Sequence, residues 1–403
     1  MRIAVYDNLP PGGAKRAAYE LGRRLARDHE VDLYQLSTTS RQAFDLSPDV
    51  RHVFRYRYAP LFGLLNKRLA RGHLAPRSLT LFAPLRALHT RIARDMRERG
   101  YDIVLAHTDA MTQSPYLLRW LPVGVGVYYC QEVLRVTREP AILAEHRRAL
   151  RRSPEPVATL RVLEDRWVLP RWQRADLETV RRAEAILVNS KYSREQVMAA
   201  YGREASVAYL GVDEEQFSPQ PSGSRDQEVL SIGSPAALKG HGLILKALAL
   251  VPGAIRPRLR VVAPASADRD ALAVTARRLQ VEIAFESQLS DRDLATRYAR
   301  VLATVCASRM EPFGLTALES MACATPVVAI KEGGFLETVV DGETGLLVDP
   351  TPEALAAGIA RLASNPPEVE RLGQQARADV LRGWTWTQSA RRLEDILAGL
   401  ARR

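Results

Sequence analysis

The chain has 403 residues, 46% of them hydrophobic, and 57 Lys and Arg against 46 Asp and Glu give it a net charge of +11. That length predicts two domains rather than one; no uninterrupted apolar stretch approaches a membrane span, and residues 1–6 run straight into a strand rather than a leader peptide, so a cytoplasmic protein is expected. Three cysteines, Cys130, Cys306 and Cys323, are odd in number and lie in apolar surroundings without ligand spacing, and the seven histidines show no H-x3-H arrangement; reduced packing thiols and no metal site are expected.

Residues 2–7 predict a first strand, followed by a Pro10-Pro11-Gly12-Gly13 turn and a helix over 15–28 with Ala17, Ala18, Leu21 and Leu25 at helical spacing. Residues 31–37 predict the second strand. Gly12 and Gly13 would let backbone approach a ligand where a side chain would block it, or serve only as a tight connection. The absence of G-x-G-x-x-G speaks against a dinucleotide cofactor.

Charge is placed unevenly. Residues 1–215 hold 35 Lys and Arg against 25 Asp and Glu, whereas the remainder holds 22 against 21. Residues 50–94 contain ten Lys or Arg and no acid. From Arg51 to Arg99 these cations are interleaved with Tyr, Phe and Leu, a composition that suits anionic lipid head groups; a solvated arginine-rich face is the alternative. Nucleic acid would be drawn by the same charge, but no recognition motif accompanies it, so none is expected as a partner.

Residues 101–107 predict a strand with His107 at its carboxyl end, where ligands collect in a parallel sheet, although a lone histidine is more often structural. Residues 125–130 predict another. A polar break at 151–156 precedes a helical stretch to about 182, and 185–190 closes the first sheet. Residues 220–224 have the composition of a flexible linker. The second domain opens with a strand over 229–233 and a turn carrying Ser234, Lys239 and Gly240. Strands over 261–264, 281–285, 301–308 and 326–330 then alternate with helices, the βα rhythm of a parallel sheet. Two helices ending near 382 and an amphipathic helix to about 400 complete the chain.

Residues 301–350 carry the most information. The apolar run VLATVCAS ends in Arg309-Met310-Glu311-Pro312-Phe313-Gly314, and helical composition follows from Leu315. A strand, turn and helix N-terminus in this order aim backbone N–H groups and the positive end of a helix dipole into the ligand crevice, where phosphate is the natural guest. Glu311 and Glu319, eight residues apart, would be separated by roughly 12 Å along the helix. That is too far for a shared proton or a retaining glycosidase pair. They could grip two ends of an extended anion, or be a dipole partner and a solvated helix residue.

The run EPFGLTALESMACATPVVAI, followed by Gly333-Gly334 and DGETGLLV from Asp341, resembles the donor half of glycosyltransferase family 4, retaining enzymes of GT-B fold that use nucleotide sugars. The resemblance implies that Glu311 lies by the donor sugar, that Glu319 binds the ribose hydroxyls, and that amides near Phe313, Gly314 and Leu315 face the phosphates. It assigns a catalytic contact to His107, and to Gly12 and Gly13 a loop lining the cleft. The family usually has Arg directly after Gly233 and Lys five residues on, two cations that neutralise the diphosphate without a metal. Lys239 is present, but the Arg position holds Ser234; Arg309 is a candidate substitute, with surface exposure and no ligand contact as the favoured alternative.

The expected fold is α/β, with two doubly wound, Rossmann-like domains facing across a cleft, GT-B: an acceptor domain over 1–215, a nucleotide-sugar domain over 216–383, and a last helix over 384–403 returning to the first. The expected activity is hexosyl transfer with retention from a nucleoside-diphosphate sugar to a hydroxyl acceptor, lipid-linked in some relatives, without metal or cofactor. Peripheral attachment to the inner membrane face through residues 51–99 and a role in the cell envelope accompany it. The rival is a GT-B scaffold that binds a nucleotide sugar or a lipid surface without turnover.

Overall fold

The computed structural model describes residues 1–39, 43–58, 83–151, 155–220, 225–234, 236–287 and 289–402. Within it the chain forms two compact units, Met1–Asn189 with Ser193–Ala208 and Ala390–Arg403, and Ser190–Tyr192 with Tyr209–Ser389.

The first unit is built on seven parallel strands, β1 (Arg2–Asn8), β2 (Glu30–Leu36), β3 (His52–Tyr56), β4 (Ile103–Asp109), β5 (Gly126–Cys130), β6 (Ala185–Val188) and β7 (Ser206–Val207), in the order β3-β2-β1-β4-β5-β6-β7. All seven residues of β4 and all five of β5 are buried. Strands covered by helices on both faces read as continuous apolar runs, which made them visible in the sequence. The second sheet has six parallel strands, β8 (Asp226–Ile232), β9 (Arg258–Val262), β10 (Ile283–Glu286), β11 (Val301–Cys306), β12 (Val327–Ile330) and β13 (Gly345–Val348), in the order β10-β9-β8-β11-β12-β13. Both sheets reverse their winding direction at one place, between β1 and β4 and between β8 and β11. The loops leaving the carboxyl ends of such a pair diverge and leave a crevice, the usual ligand position. These two crossovers position every residue considered below.

The elements differ in places from those expected. Residues 52–56, read as part of a membrane-facing tract, pair with β2 in the register Asp32↔His52 to Leu36↔Tyr56. Three of the tract's cations have partners within the unit: Arg51 meets Asp32 at 3.2 Å and also Glu30, Arg55 donates to Ser47 Oγ at 2.9 Å, and the Arg99 guanidinium lies 4.0 Å from the Phe54 ring centroid. Arg-rich composition cannot distinguish a free cation from one facing an acid that is distant in sequence. The middle of that tract, residues 59–82, lies outside the described residues, as do 152–154 of the polar break and 221–224 of the linker. β4 continues two residues beyond His107. Short β3, β7 and β13 were not foreseen, having too few residues to show a period.

The last helix, Trp386–Ala401, joins the first unit from Ala390 onward, where Glu394 lies 3.0 Å from His29. Trp386 is fully buried, and Trp384 packs on Tyr209 and Phe313 with ring centroids 5.3 and 5.9 Å away. Among the described residues no helix is long and apolar enough to cross a membrane.

Candidate functional site

At the β8/β11 crossover two turns are locked together by glycine. Gly233 (φ 140°) leaves β8 with its N–H on the Val262 carbonyl at 3.1 Å, and the chain passes through exposed Ser234 to a short turn at Ala237–Lys239. Gly240 (φ 75°) ends that turn so close to β11 that a Cβ would stand 2.1 Å from the Ala307 carbonyl oxygen. The Arg309 N–H then donates to the Leu238 carbonyl at 2.8 Å. Glycine is required here by both backbone angle and contact. The consequence is chemical: Lys239 Nζ and Ser308 Oγ both donate to Glu311 Oε2 at 2.8 Å.

A second glycine pair holds the Glu311 turn from the other side. The Gly334 N–H donates to the Glu311 carbonyl at 2.9 Å, and Cβ atoms on Gly333 and Gly334 would stand 2.4 Å from the Glu311 carbonyl oxygen and the Phe313 Cα. The Met310 N–H donates to Glu332 at 2.7 Å. Gly314 (φ 95°) caps the helix Leu315–Ala322, and a Cβ there would press on the Phe335 ring at 2.7 Å. The Phe313 side chain is buried against Tyr209 and Trp384, so only its backbone can serve a ligand. The helix N-terminus at Leu315 thus opens beside the Lys239–Glu311 pair and favours negative charge.

Glu319 lies four residues into this helix, 6% exposed, and accepts a 2.8 Å hydrogen bond from the Tyr298 hydroxyl. Burial and the Glu319 carboxylate push that hydroxyl well above its usual pKa, so it stays protonated and donating. Arg309 meets Glu332 at 2.6 Å and is half-exposed. Burial pushes the Cys306 thiol up to about 12, so it is no nucleophile at neutral pH. Buried His241 supports the Gly233 turn, with Nδ1 3.0 Å from Ser231 Oγ and Nε2 3.4 Å from the Gly233 carbonyl. Tyr298, Ser308, Glu332 and His241 were not singled out from the sequence; three carry no motif, and Ser308 could have been found as the last residue of the apolar run.

At the β1/β4 crossover of the first unit, Gly12 (φ 151°) precedes the helix Gly13–Asp28 and accepts from the Arg16 N–H at 2.9 Å. A Cβ on Gly12 would meet nothing within 4 Å, so backbone angle, not crowding by the protein, asks for glycine. Beneath this loop Lys15 and Asp7 form a buried ion pair, and Asp7 also accepts from the Leu9 N–H at 3.2 Å and from Gln35 at 3.3 Å. Sequence reasoning passed over Lys15, though its place three residues before Ala18 puts it on the buried face of the helix.

His107 is 1% exposed, its ring stacked 5.5 Å from that of Tyr129, and its Nδ1 has no hydrogen-bond partner among the described residues. Burial pulls its pKa down to about 4; Asp7 opposes the shift and Lys15 adds to it. Next to it Asp109 accepts from Tyr6 at 2.7 Å, Asn8 at 3.0 Å and the Met111 and Thr112 N–H groups at 2.8 and 2.9 Å, while His89 Nε2 lies 2.8 Å from the Tyr6 hydroxyl. The expected residues therefore form two groups, Gly233, Ser234, Lys239, Glu311, Phe313, Gly314, Leu315 and Glu319 in the second unit, and Gly12, Gly13 and His107 in the first.

The sequence model of Glycosyltransferase Family 4 matches residues 11–216, and that of Glycosyl transferases group 1 matches residues 212–379. The D-inositol 3-phosphate glycosyltransferase of Nocardiopsis dassonvillei is 30% identical over 412 residues, 93% of this chain and 87% of that protein. A GDP-mannose-dependent alpha-(1-6)-phosphatidylinositol monomannoside mannosyltransferase of Mycolicibacterium smegmatis is 28% identical over 239 residues, 54% of this chain and 63% of that protein. Among solved structures, the sucrose-phosphate synthase of Thermosynechococcus elongatus superposes with a TM-score of 0.77 at 21% identity, covering 99% of this chain and 98% of that one. Anabaena HepE in complex with UDP and glucose gives 0.71 at 19% identity, covering 99% of each chain. Two parallel-sheet units with these matches make the chain a member of glycosyltransferase family 4, an enzyme of GT-B fold that transfers a sugar.

Proposed function

We propose that the protein is a retaining hexosyltransferase that takes its sugar from a nucleoside diphosphate and delivers it to a hydroxyl acceptor in cell-envelope glycolipid or polysaccharide synthesis. The observation that carries this reading is the Lys239–Glu311–Ser308 cluster beside the Gly314 helix N-terminus. The diphosphate would lie on the helix amides with Lys239 neutralising the charge that grows on it as the sugar leaves, which is electrostatic catalysis without a metal. Glu311, held by two donors on one oxygen, is suited to orient sugar hydroxyls and poorly suited to attack carbon. The leaving phosphate would then take the acceptor proton on the same face, which gives retention. Glu319 would receive the ribose hydroxyls in exchange for part of its contact with Tyr298.

His107 would contact the reacting sugar. An unpaired nitrogen in a buried ring costs about 1–3 kcal/mol, a cost that a substrate hydrogen bond would offset. The relatives named above point to GDP-mannose and UDP-sugars as donors to try, and to inositol-type acceptors, free or lipid-borne. A membrane-surface contact through residues 51–99 belongs to this reading, with Arg57, Arg86 and Arg94 exposed on the described flanks.

One observation favours a second reading. Ser234 stands where the family usually has Arg, so of that family pair of cations Lys239 alone is present. A scaffold that binds without turnover would fit. Release of nucleoside diphosphate from a panel of UDP-, GDP- and ADP-sugars, with and without acceptors, decides between them. Release with one donor supports the transferase; calorimetric binding without release supports the scaffold; no binding overturns both.

A further inference from the structure

The two helices that begin at the β8/β11 crossover are both closed at their far ends by arginine. The helix His241–Leu250 starts beside Lys239, and Leu315–Ala322 starts at Gly314. Their carboxyl ends lie about 15 and 12 Å further on. The last carbonyls of a helix have no partner inside it and form the negative end of its dipole.

At Leu315–Ala322, Arg377 donates to the Ala322 carbonyl at 2.9 Å and Arg225 to the Ala324 carbonyl at 2.8 Å. Arg377 comes from the helix Pro366–Gly383, and Gly373 one turn before it allows the approach: a Cβ there would stand 2.1 Å from the Ala324 oxygen. Their other donors also meet neutral oxygens. Arg377 reaches the Phe217 and Glu214 carbonyls at 3.0 Å each, and Arg225 the Val301 carbonyl at 2.9 Å and Thr325 Oγ1 at 2.8 Å. At His241–Leu250, Arg256 donates to the Ala249 carbonyl at 3.2 Å and the Val251 carbonyl at 3.0 Å. Among the described residues none of these three arginines forms an ion pair with a carboxylate. Burial draws the pKa of Arg225 and Arg377 down, with Glu370 opposing most at Arg225 and Cys323 at Arg377, yet a guanidinium stays charged at neutral pH.

We propose that Arg225, Arg256 and Arg377 are positioning residues for the donor diphosphate, acting through the two helices whose carboxyl ends they hold. A cation there complements the dipole and adds positive potential along the axis toward the amino end, where the phosphates would lie. Partly buried and set among carbonyls, these charges are screened less than surface ones. Helix capping alone is the alternative, and Arg203 exemplifies it: it donates to the Arg181 and Ala183 carbonyls at 3.0 and 3.1 Å, just past the helix Glu155–Val180 of the first unit. The inference rests on the donor-site reading, which puts the diphosphate at Gly314 and Lys239.

The test is calorimetry of the full chain with UDP against uridine and with GDP against guanosine. For one pair the parent binds the diphosphate more tightly than the nucleoside. Arg377→Met and Arg256→Met should each narrow that gap about two- to fivefold, and about tenfold together, with nucleoside affinity unchanged. Arg377→Lys keeps the charge and the gap; Arg203→Met lowers Tm and leaves the gap intact. Arg256→Met carries the test if Arg377→Met does not fold. A gap unchanged in the two Met variants overturns the proposal, as does a gap narrowed equally by Arg203→Met. Equal losses for nucleoside and diphosphate also overturn it, because a displaced helix would take Glu319 with it. No gap in the parent removes the donor-site reading itself, and the proposal falls with it.

Discussion

Lys239 Nζ stands 2.8 Å from Glu311 Oε2 although 72 residues separate them, and the pair forms where β8 and β11 part. Its position depends on backbone contacts on both sides, the Arg309 N–H on Leu238 and the Gly334 N–H on Glu311. A cation and a carboxylate held this way can exchange each other for a phosphate and a sugar hydroxyl with little rearrangement. That makes the two residues separable by kinetics.

Glu311→Ala is expected to lower kcat by about a hundredfold with a smaller change in donor KM, the signature of a contact that matters most in the transition state. Lys239→Met should raise donor KM and lower kcat together. Steady-state release of nucleoside diphosphate measures both; full activity in either variant would show that the pair lies off the reaction path.

Glu319→Ala should weaken donor binding about tenfold and also destabilise the fold, since it strands the buried Tyr298 hydroxyl. Tyr298→Phe separates the effects: a loss of about 1 kcal/mol of stability with donor affinity retained. Calorimetry of both variants with the accepted donor checks this, and equal affinity in Glu319→Ala and the parent would remove Glu319 from the site.

Ser234 is exposed immediately after Gly233, so an arginine there has room. Ser234→Arg should tighten donor diphosphate binding several-fold, by about 1 kcal/mol for a cation reaching phosphate near the surface. No change in affinity for the nucleoside diphosphate would mean that the phosphates lie elsewhere.

Gly314→Ala places a side chain at φ 95° against the Phe335 ring. The expected cost is about 1–3 kcal/mol, read as a lower Tm, with weaker donor binding because the helix N-terminus shifts. Gly12→Ala makes the contrast: its backbone angle is also unusual, but a Cβ there meets nothing within 4 Å, so the thermal loss should be the smaller of the two.

His107 and His89 are both buried with pKa values lowered by burial from 6.5 to about 4. The folded protein thus binds these protons less readily than the unfolded chain does. Their contribution to stability is complete above pH 6.5 and is lost as pH falls toward 4, by about 3 kcal/mol for each ring. Denaturant titrations across that interval should show the slope, and His107→Asn should flatten it by its share. His107 is neutral at physiological pH, so its own titration should leave no limb in the pH–rate profile above pH 6.5.

The sequence alone determined the α/β class, most strand positions and the Glu311–Gly314 turn. Buried parallel strands are local apolar runs, and a strand, glycine turn and helix start lie within fourteen residues of one another. The resemblance to the family pointed to Lys239 and to the departure at Ser234. What the sequence could not supply were partners distant along the chain. That Arg51 faces Asp32 shows only once β3 pairs with β2. The Arg309–Glu332 pair was likewise out of reach of sequence reading. Local backbone preference and apolar period are written in neighbouring residues; the free or paired state of a charge depends on which distant segment the fold sets opposite it.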